Sequence, residues 1–309
     1  GELKEPQLPK DIKDAILKCR GALQKGLEDQ RSRMDVEMPV CANFGVENKK
    51  ASKNKLGNLS SFTGDDDPES SLTIDKLDTS NGELARLFVE MFQPLGSLHI
   101  CTVFNDEYLS DQAHERWSDN ISAECHIVAI DRKGKRSWGG IVKTGSKGMQ
   151  KKKKAMGFAA KIAAELEEGV ETEVALFVAP GPKELIAIER ICHEVGMGTC
   201  VIPLNARLSL IDKFVSDDAR KLFLEEFETI WSLLTAPQDE APGCLMHCAY
   251  PGLWMLARKP KVGPPKTIAI KQGEKFSGEE CRDAFGKVEI LELEKGTDRL
   301  AENTANWFK

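Results

Sequence analysis

The stretch that decides the fold is "VALFVAPGPKELIAIERICHEVGMGTCVIPLN", residues 174–205. It begins and ends with segments that are almost entirely apolar, and an amphipathic segment of helical spacing lies between them. Strands that are apolar on both sides are typical of parallel sheets that helices cover on each face. A strand, a crossover helix and a second parallel strand form the basic unit of α/β proteins. The stretch therefore predicts a βαβ unit in a parallel sheet.

The alternation of strands and helices continues on both sides of this unit. Apolar residues recur at helical spacing in five further segments, and Ser216, followed by acids, marks the start of the last one. The predicted helices are residues 10–28, 81–96, 108–117, 150–168 and 216–234. The predicted strands are residues 33–40 and the segments "LHICTVFN", "CHIVAID", "RSWGGIVK", "CLMHCAY", "LWMLARK" and "KTIAIKQ".

This order predicts an α/β fold with three layers, similar to the Rossmann fold. We expect a mostly parallel central sheet with helices on both faces and an antiparallel C-terminal extension. One domain is expected over residues 1–309, with 260–309 as its C-terminal extension. Residues 47–72 are rich in Lys, Asn, Ser, Gly and Asp and poor in core residues. They predict an exposed insertion, either a long loop or a disordered segment.

Charge and cysteine content exclude several classes of protein. The net charge of −6 argues against nucleic-acid binding through bulk charge. No stretch reaches the roughly 18 apolar residues that span a bilayer, so we expect peripheral membrane association at most. No signal or transit segment is visible at Gly1, although a processed chain would also lack one. Nine irregularly spaced cysteines indicate free thiols in a reducing compartment.

Two loops at one edge of the predicted sheet are candidates for ligand binding, because open α/β sheets bind ligands beside the carboxyl ends of their strands. Gly181 and Lys183 follow the first strand of the 174–205 unit, and Asn205 and Arg207 follow the second. Gly181 would let the backbone approach a phosphate at the helix N-terminus, but the prolines that flank it lack the N–H groups that bind anions. A rigid turn that starts the helix, and a turn-capping role for Asn205, are the alternative interpretations.

A basic cluster is the candidate surface for a partner. Four consecutive lysines begin the predicted helix at 150–168, and their charges oppose the helix dipole. The cluster consists of Lys143, Lys147, Lys151, Lys152, Lys153 and Lys154. It predicts docking to an acidic partner or to an anionic lipid surface, and a solvated helix start is the alternative.

No motif in the sequence predicts catalysis, a metal or a cofactor. The segment "GIVKTGSK" resembles a phosphate-binding loop, but its Ser146 and Lys147 stand in the reverse order. Cys244, His247 and Cys248 lie on one predicted strand, where Cys244 and Cys248 share a face with Met246 and have the pattern of core residues rather than of paired zinc ligands. The histidines are scattered, and no Ser-His-Asp order appears. We therefore assign no catalytic residue, metal ligand or cofactor from the sequence, and we favour a protein that is not an enzyme.

Four stretches together resemble one known family. They are "GLEDQRSRMDVEMP", "LARLFVEMFQPLGSLHICTVFND", "EVALFVAPGPKELIAIERICHEVGMGTCVIPLNARL" and "CAYPGLWMLARK". Their order and spacing resemble a domain of unknown function from cyanobacteria and plastids, over most of residues 8–260. That family includes the plant low-photosystem-II-accumulation protein and a domain fused to some plastid adenylate kinases. The resemblance implies a chloroplast protein, in the stroma or on the stromal face of the thylakoid, with photosystem proteins as partners.

Two functional hypotheses follow. The first, which the resemblance favours, is a non-catalytic binding factor that assists photosystem assembly or accumulation, or that is bound to a photosystem as an accessory subunit. The second is a nucleotide- or phosphometabolite-binding enzyme or sensor that uses Gly181, Lys183, Asn205 and Arg207. Fold alone is a weak argument for function, so the second hypothesis depends on the geometry of the sheet edge.

Overall fold

The computed structural model describes residues 6–39, 74–130, 141–142, 172–208, 211, 213–258 and 265–288. Within these residues lie six α-helices and ten β-strands. The helices are α1 (Ile12–Glu28), α2 (Ile74–Phe92), α3 (Glu107–Arg116), α4 (Leu185–Val195), α5 (Asp217–Lys221) and α6 (Gly278–Gly286). The strands are β1 (Met34–Glu37), β2 (Ile100–Phe104), β3 (His126–Ile130), β4 (Ile141–Val142), β5 (Val174–Val178), β6 (Cys200–Leu204), β7 (Glu228–Thr235), β8 (Cys244–Ala249), β9 (Trp254–Arg258) and β10 (Lys266–Lys271).

The described residues form two compact units. The parallel unit comprises the described residues of Gly26–Glu37 and Thr73–Thr229. The antiparallel unit comprises those of Gly1–Lys25, Met38–Leu72 and Ile230–Lys309. The expectation of a single domain over residues 1–309 stays a prediction.

Several sequence predictions fall outside the described residues. These are the insertion at 47–72, the helix at 150–168, the whole lysine cluster and parts of the extension at 260–309.

The strands of the parallel unit lie in the order β1-β6-β5-β2-β3-β4. Each neighbouring pair in the series β1, β6, β5, β2 and β3 is parallel, whereas β3 and β4 pair antiparallel. Because α4 joins the neighbouring strands β5 and β6, the βαβ unit predicted for residues 174–205 is confirmed. Each of the five parallel strands is buried along its whole length, as expected for a sheet that is covered on both faces.

Helices cover both faces of this sheet. On one face, Ile188 of α4 packs in a buried cluster with Val103 and Phe177. On the other face, the ring of Phe104 lies 6.0 Å from that of Trp117, which directly follows α3. Val103 and Phe104 lie on opposite faces of the sheet because successive side chains of a strand point in opposite directions. The predicted α/β fold, with a mostly parallel sheet between helices, is confirmed.

Arg33, directly before β1, connects this strand to α4 through side-chain hydrogen bonds. Its side chain is buried and donates hydrogen bonds to the carbonyl oxygens of Thr199 (2.9 Å), Cys192 (3.1 Å) and Gly196. Cys192 lies in the last turn of α4, Gly196 follows the helix, and Thr199 precedes β6. The guanidinium therefore meets the negative end of the helix dipole and satisfies carbonyl groups that have no partner within the helix.

The antiparallel unit contains the three C-terminal strands that the sequence predicts. β7, β8, β9 and β10 pair in that order, each antiparallel to the next. Cys244, Met246 and Cys248 share one buried cluster, so their interpretation as core residues is confirmed. The predicted antiparallel C-terminal extension is confirmed as well.

The sequence analysis missed α6. Ser277 caps this helix by accepting a hydrogen bond from the backbone of Glu280, and the Glu280 carboxylate accepts from the backbone of Ser277 in return. Such a reciprocal capping box has the sequence signature Ser-x-x-Glu. The signal was therefore present in the sequence.

The prediction of a long helix over residues 216–234 is wrong. Ser216 does cap a helix, because its Oγ accepts a hydrogen bond from the backbone N–H of Ala219 at 3.0 Å. However, α5 ends at Lys221, and a short π-helix over Leu222–Glu226 leads into β7. β7 is buried at five consecutive positions. A segment that is apolar on every side fits a buried strand as well as a helix, so periodicity alone misassigned it.

His247 on β8 is held neutral inside the antiparallel unit. Its side chain is buried, its Nδ1 donates to the carbonyl oxygen of Ser232 at 2.8 Å, and its ring meets the Trp231 ring edge-on. Burial lowers the pKa of His247 to about 4, and the nearby charge of Lys18 acts in the same direction. The unfolded chain protonates the same imidazole near pH 6.5.

We predict that stability is lost as the pH falls from about 6.5 to about 4, because the unfolded state binds more protons than the folded state in this window. A shift of this size removes about 3 kcal/mol of unfolding free energy. Denaturant titrations across this window measure the loss. His247→Gln keeps a donor for Ser232 and should flatten the dependence, whereas the exposed control His193→Gln should leave it unchanged. Equal acid loss in the wild type and in His247→Gln would contradict the prediction.

Candidate functional site

The order of the strands places a crevice at the carboxyl ends of β2 and β5. These strands are neighbours, but the chain leaves β2 towards β3 on one side and leaves β5 towards β6 on the other. Right-handed crossovers in opposite directions put the following helices, α3 and α4, on opposite faces of the sheet. The two loops therefore diverge, and open α/β sheets bind their ligands in such a crevice.

The backbone at this edge is held in uncommon conformations. Ala179, Asn205 and Arg207 have φ values of 45°, 57° and 54°, in the left-handed region that few residues other than Gly and Asn adopt. The backbone N–H of Ala179 donates to the carbonyl oxygen of Leu204 at 2.8 Å, and its own carbonyl accepts from Nδ2 of Asn105 at 2.8 Å. Strained backbone that its surroundings hold in place clusters at functional sites.

A cleft in the parallel unit opens at this edge, and we call it the switch-point cleft. It lies between α2 and α3 and reaches the ends of β2 and β5. Its polar lining consists of Asp78, Asn81, Glu83, Asn105, Gln112 and Arg116. Phe104 and Trp117 contribute an apolar wall. The free volume of about 30 Å³ accommodates water or one small head group, and it is far below that of pockets that enclose a whole ligand.

Asn105 supplies an acceptor that no described residue uses. Because its Nδ2 donates to the carbonyl oxygen of Ala179, the orientation of the amide is fixed, and the opposite orientation would bring two oxygens together. Its Oδ1 is buried and receives no hydrogen bond from the described part of the chain. Leaving a buried acceptor unsatisfied costs about 1–3 kcal/mol. This oxygen is closed off from solvent, so it does not itself form part of the open surface of the cleft.

Negative charge dominates the interior of the cleft. The carboxylate of Glu83 accepts a hydrogen bond from Nε of Arg86 at 2.8 Å, and the same guanidinium also pairs with Glu90. Asp78 receives no such bond from the residues that the structure describes. Burial raises the pKa of Asp78 above its ordinary value, two nearby aspartates, Asp106 foremost, raise it further, and the charge of Arg116 opposes them.

The structure places the four residues predicted to bind a ligand after the ends of β5 and β6. The backbone N–H of Gly181 donates to Oε2 of the buried Glu184 at 3.1 Å, so the start of α4 satisfies this amide internally. Lys183 is exposed. Nδ2 of Asn205 donates to Oδ1 of Asn81 at 2.9 Å, which connects the end of β6 to the wall of the switch-point cleft.

Arg207 lies near two buried acids of β1. Burial lowers its pKa, and the charges of Glu37 and Asp35 act in the opposite direction. The chain's own carboxylates therefore act on the charge of Arg207 and accept the amide N–H of Gly181, two of the groups expected to meet a phosphate. The assignment of Gly181, Lys183, Asn205 and Arg207 as ligand-binding residues stays a prediction.

The sequence analysis did not identify the residues that line the cleft. Asn105 directly follows a buried strand, as Asn205 does, so the reasoning applied to Asn205 would also have found Asn105. Asp78, Gln112 and Arg116 lie within two helices that only the folded chain brings together. No spacing in the sequence points to them.

The cysteines near this sheet are poor nucleophiles. All eight described cysteines are buried, and none of them forms a disulfide. Burial raises the pKa of the Cys125 and Cys200 thiols to about 12 and that of Cys192 to about 11. These thiols are protonated at neutral pH, whereas the thiolate is the form that attacks electrophiles and binds metals.

Among the residues that the structure describes, no three His, Cys, Asp or Glu side chains are grouped to hold a metal ion. No helix among the described residues has the length and apolar character needed to cross a membrane.

The fold and its edge define an α/β protein with an accessible switch point. The family model of the domain of unknown function DUF1995 matches residues 9–283. The chain therefore belongs to this family, and the resemblance to a family of unknown function is confirmed. No curated protein and no solved structure matches the chain. Two of the segments that carry the resemblance contribute residues to this edge of the sheet: Asn105 lies in the second segment, and Ala179 and Asn205 lie in the third.

We predict that Asn205→Ala lowers the free energy of unfolding by about 2–3 kcal/mol, because it loses the bond to Asn81 and strains a left-handed residue. Asn205→Gly loses the same bond without straining the left-handed backbone and should cost about 1 kcal/mol. Urea titrations of both variants measure the difference. Equal losses would mean that the left-handed backbone does not select asparagine at this position.

Proposed function

We propose that this protein is a non-catalytic protein-binding factor of the chloroplast that assists photosystem assembly or accumulation, or is bound to a photosystem as an accessory subunit. The observation that carries the proposal is membership of the DUF1995 family over residues 9–283, together with the plastid proteins that the sequence stretches resemble. The proposal includes a location in the stroma or on the stromal face of the thylakoid.

Exposed apolar side chains at the starts of α2 and α3, the two helices that line the switch-point cleft, support a protein-binding role. Ile74 is 77% exposed and Tyr108 is 66% exposed, and Leu77 lies one turn after Ile74. The electrostatic interaction of Asp78 with Asp106 indicates that the first turns of α2 and α3 are close to each other. Aromatic and aliphatic side chains grouped at the surface, with polar residues around them, are typical of partner-binding surfaces.

We predict that tagged protein recovered from gently solubilised thylakoids brings photosystem subunits with it. The double substitution Ile74→Ser with Tyr108→Ser should reduce this recovery several-fold, because it removes apolar area that the interface would bury. Val215→Ser, which removes a different exposed apolar side chain of the parallel unit, is the matched control. Recovery of the protein alone, at both low and high salt, would contradict the proposal.

The lysine cluster predicts an electrostatic contribution to the same interaction. Charge reversal of Lys151, Lys152, Lys153 and Lys154 to glutamate should weaken docking and make the remaining binding less sensitive to salt, because screening acts mainly on exposed charges. Co-purification over a range of salt concentrations measures both effects. Unchanged binding at every salt concentration would remove the cluster from the proposal.

Ligand binding at the sheet edge, by an enzyme or a sensor, is a second candidate function, and the switch-point cleft is the observation that favours it. The sequence suggests a nucleotide or phosphometabolite as the ligand. Gly82 gives a direct way to block the cleft. It lies on α2 among the lining residues, and a Cβ at this position would meet no atom within 4 Å.

We predict that a ligand of the cleft raises the melting temperature, since a ligand at about 100 times its dissociation constant adds about 2.7 kcal/mol, or several degrees. Thermal unfolding against a panel of nucleotides, sugar phosphates, amines and amino acids measures the shift. Gly82→Met should fill the cleft and abolish it, whereas Gly82→Ala should retain it. A flat response of the wild type to the whole panel would contradict this second function.

A further inference from the structure

We infer that the amino edge of β2 and β3 is a second protein-binding surface, which takes a positively charged amphipathic helix of a partner protein. It is defined by Leu95, Leu98 and Ile121, and we call it the amino-edge surface. It lies at the opposite ends of the strands from the switch-point cleft, so it is separate from the surface at Ile74 and Tyr108. A protein that binds one partner at each end of its sheet joins the two partners.

Three large aliphatic side chains are exposed at this edge. Leu98 is 59% exposed, Ile121 is 51% exposed and Leu95 is 39% exposed. They belong to three short 3₁₀ turns that precede β2 and β3, namely Gln93–Leu95, Ser97–His99 and Ile121–Glu124. Single exposed aliphatic residues are common, whereas several of them on connected turns are typical of an interaction site.

A hydrogen-bonded serine connects the three turns. Oγ of Ser97 lies 3.1 Å from Oε1 of Gln93 and 3.3 Å from Oε2 of Glu124. Gln93, Ser97 and Glu124 each belong to a different turn. The three aliphatic side chains are therefore neighbours in space, although Ile121 is distant from the other two in sequence.

Asn120 holds the turn of Ile121 from its other side. Its Oδ1 accepts a hydrogen bond from the backbone N–H of Ser122 at 3.1 Å, and its Nδ2 donates to Oε1 of Glu90 on α2 at 3.2 Å. These contacts form within the chain itself, without a partner. A surface that is already ordered loses less conformational entropy when it binds.

The charge around the amino-edge surface is negative. The segments that form this edge, residues 90–100, 117–126 and 172–174, contain no lysine and no arginine. Their acids are Glu90, Asp119, Glu124 and Glu173. Glu90 is paired with Arg86. Asp119 and Glu124 are exposed, and neither forms a salt bridge within the part of the chain that the structure describes.

This combination of apolar and acidic groups selects the chemistry of the partner. An amphipathic helix places its apolar stripe on exposed aliphatic side chains. Lysine and arginine at the margin of that stripe cover further apolar area with their carbon chains and bring their charges to the carboxylates. An anionic lipid surface or a nucleic acid would be repelled by the same carboxylates. Two copies of this chain that met through this surface would place like charges opposite each other.

Fluorescence anisotropy with three matched model peptides and the full chain tests the inference. The first peptide is a helix of leucine and lysine, with leucines at positions i, i+3, i+4 and i+7. The second has glutamate in place of lysine, and the third has serine in place of leucine. We expect the leucine–lysine peptide to bind and the other two to bind at least about tenfold more weakly, because one has the wrong charge and the other has no apolar stripe.

Two double variants assign this binding to the amino-edge surface. Leu98→Ser with Ile121→Ser should weaken binding of the leucine–lysine peptide about tenfold or more, because the apolar area of two aliphatic side chains is lost. Asp119→Asn with Glu124→Gln should weaken it several-fold and make the remaining binding less sensitive to salt. The glutamine in the second variant keeps an acceptor for Ser97.

Matched controls remove the same kinds of group elsewhere in the parallel unit. Val215→Ser removes an exposed apolar side chain, and Glu225→Gln with Glu226→Gln removes two exposed acids. Both should bind the leucine–lysine peptide as the wild type does. Circular dichroism and the melting temperature establish that each variant is folded.

The outcomes separate this inference from the proposed function. Binding of the leucine–lysine peptide that both double variants weaken, and that the controls retain, supports the amino-edge surface. Equal binding by the wild type and by Leu98→Ser with Ile121→Ser overturns it, as does the absence of peptide binding. A loss caused only by Ile74→Ser with Tyr108→Ser overturns it but retains the protein-binding role at the carboxyl edge. Self-association of the wild type that Leu98→Ser with Ile121→Ser abolishes assigns the surface to a second copy of the chain and also overturns it.

Discussion

The parallel unit depends on one buried cation, the guanidinium of Arg33. It joins the end of α4 to the residues before β6 and to β1, and the carbonyl oxygen of Arg33 accepts from the backbone N–H of Glu228 at 2.9 Å. A guanidinium suits this position because its donors lie in a fixed plane and can reach several carbonyl groups at once. A buried charge is tolerated only while its hydrogen bonds are made. The interaction therefore fixes the amino ends of β1 and β6 against the helix between β5 and β6.

Features at the opposite ends of these strands follow from that constraint. With β1, β6 and β5 held in register, the bond from the Asn205 backbone to the carbonyl oxygen of Val36 and that from Ala179 to Leu204 form at the carboxyl edge. Left-handed residues after β5 and β6 turn the chain away from the sheet. The reversal of direction between β2 and β5 then leaves the crevice open. The cleft is thus a consequence of strand order, and its chemistry comes from side chains on α2 and α3.

Local pattern predicted most of the framework but little of the site. Residues 174–205 specify their strands and helix because apolar runs and helical spacing act over short distances. The same reading of apolar spacing fails for residues 216–234. β7 is apolar on both faces, and its pairing with β8 is what makes it a strand. Asn205 was found because it ends a buried strand. Asp78 was not, because its environment is formed by Asp106 and Arg116, which only the tertiary fold brings near it.

Both proposed functions place contact with a partner or ligand at the carboxyl edge of β2 and β5. Hydrogen–deuterium exchange, read by mass spectrometry on the isolated protein and on the protein in the proposed thylakoid complex or saturated with a ligand, tests that claim most directly. The account predicts that exchange slows at residues 74–83, at 105–116 and around Ala179, with little change in the peptides of α6 and β10. Protection confined to other segments, with this edge unchanged, would contradict it.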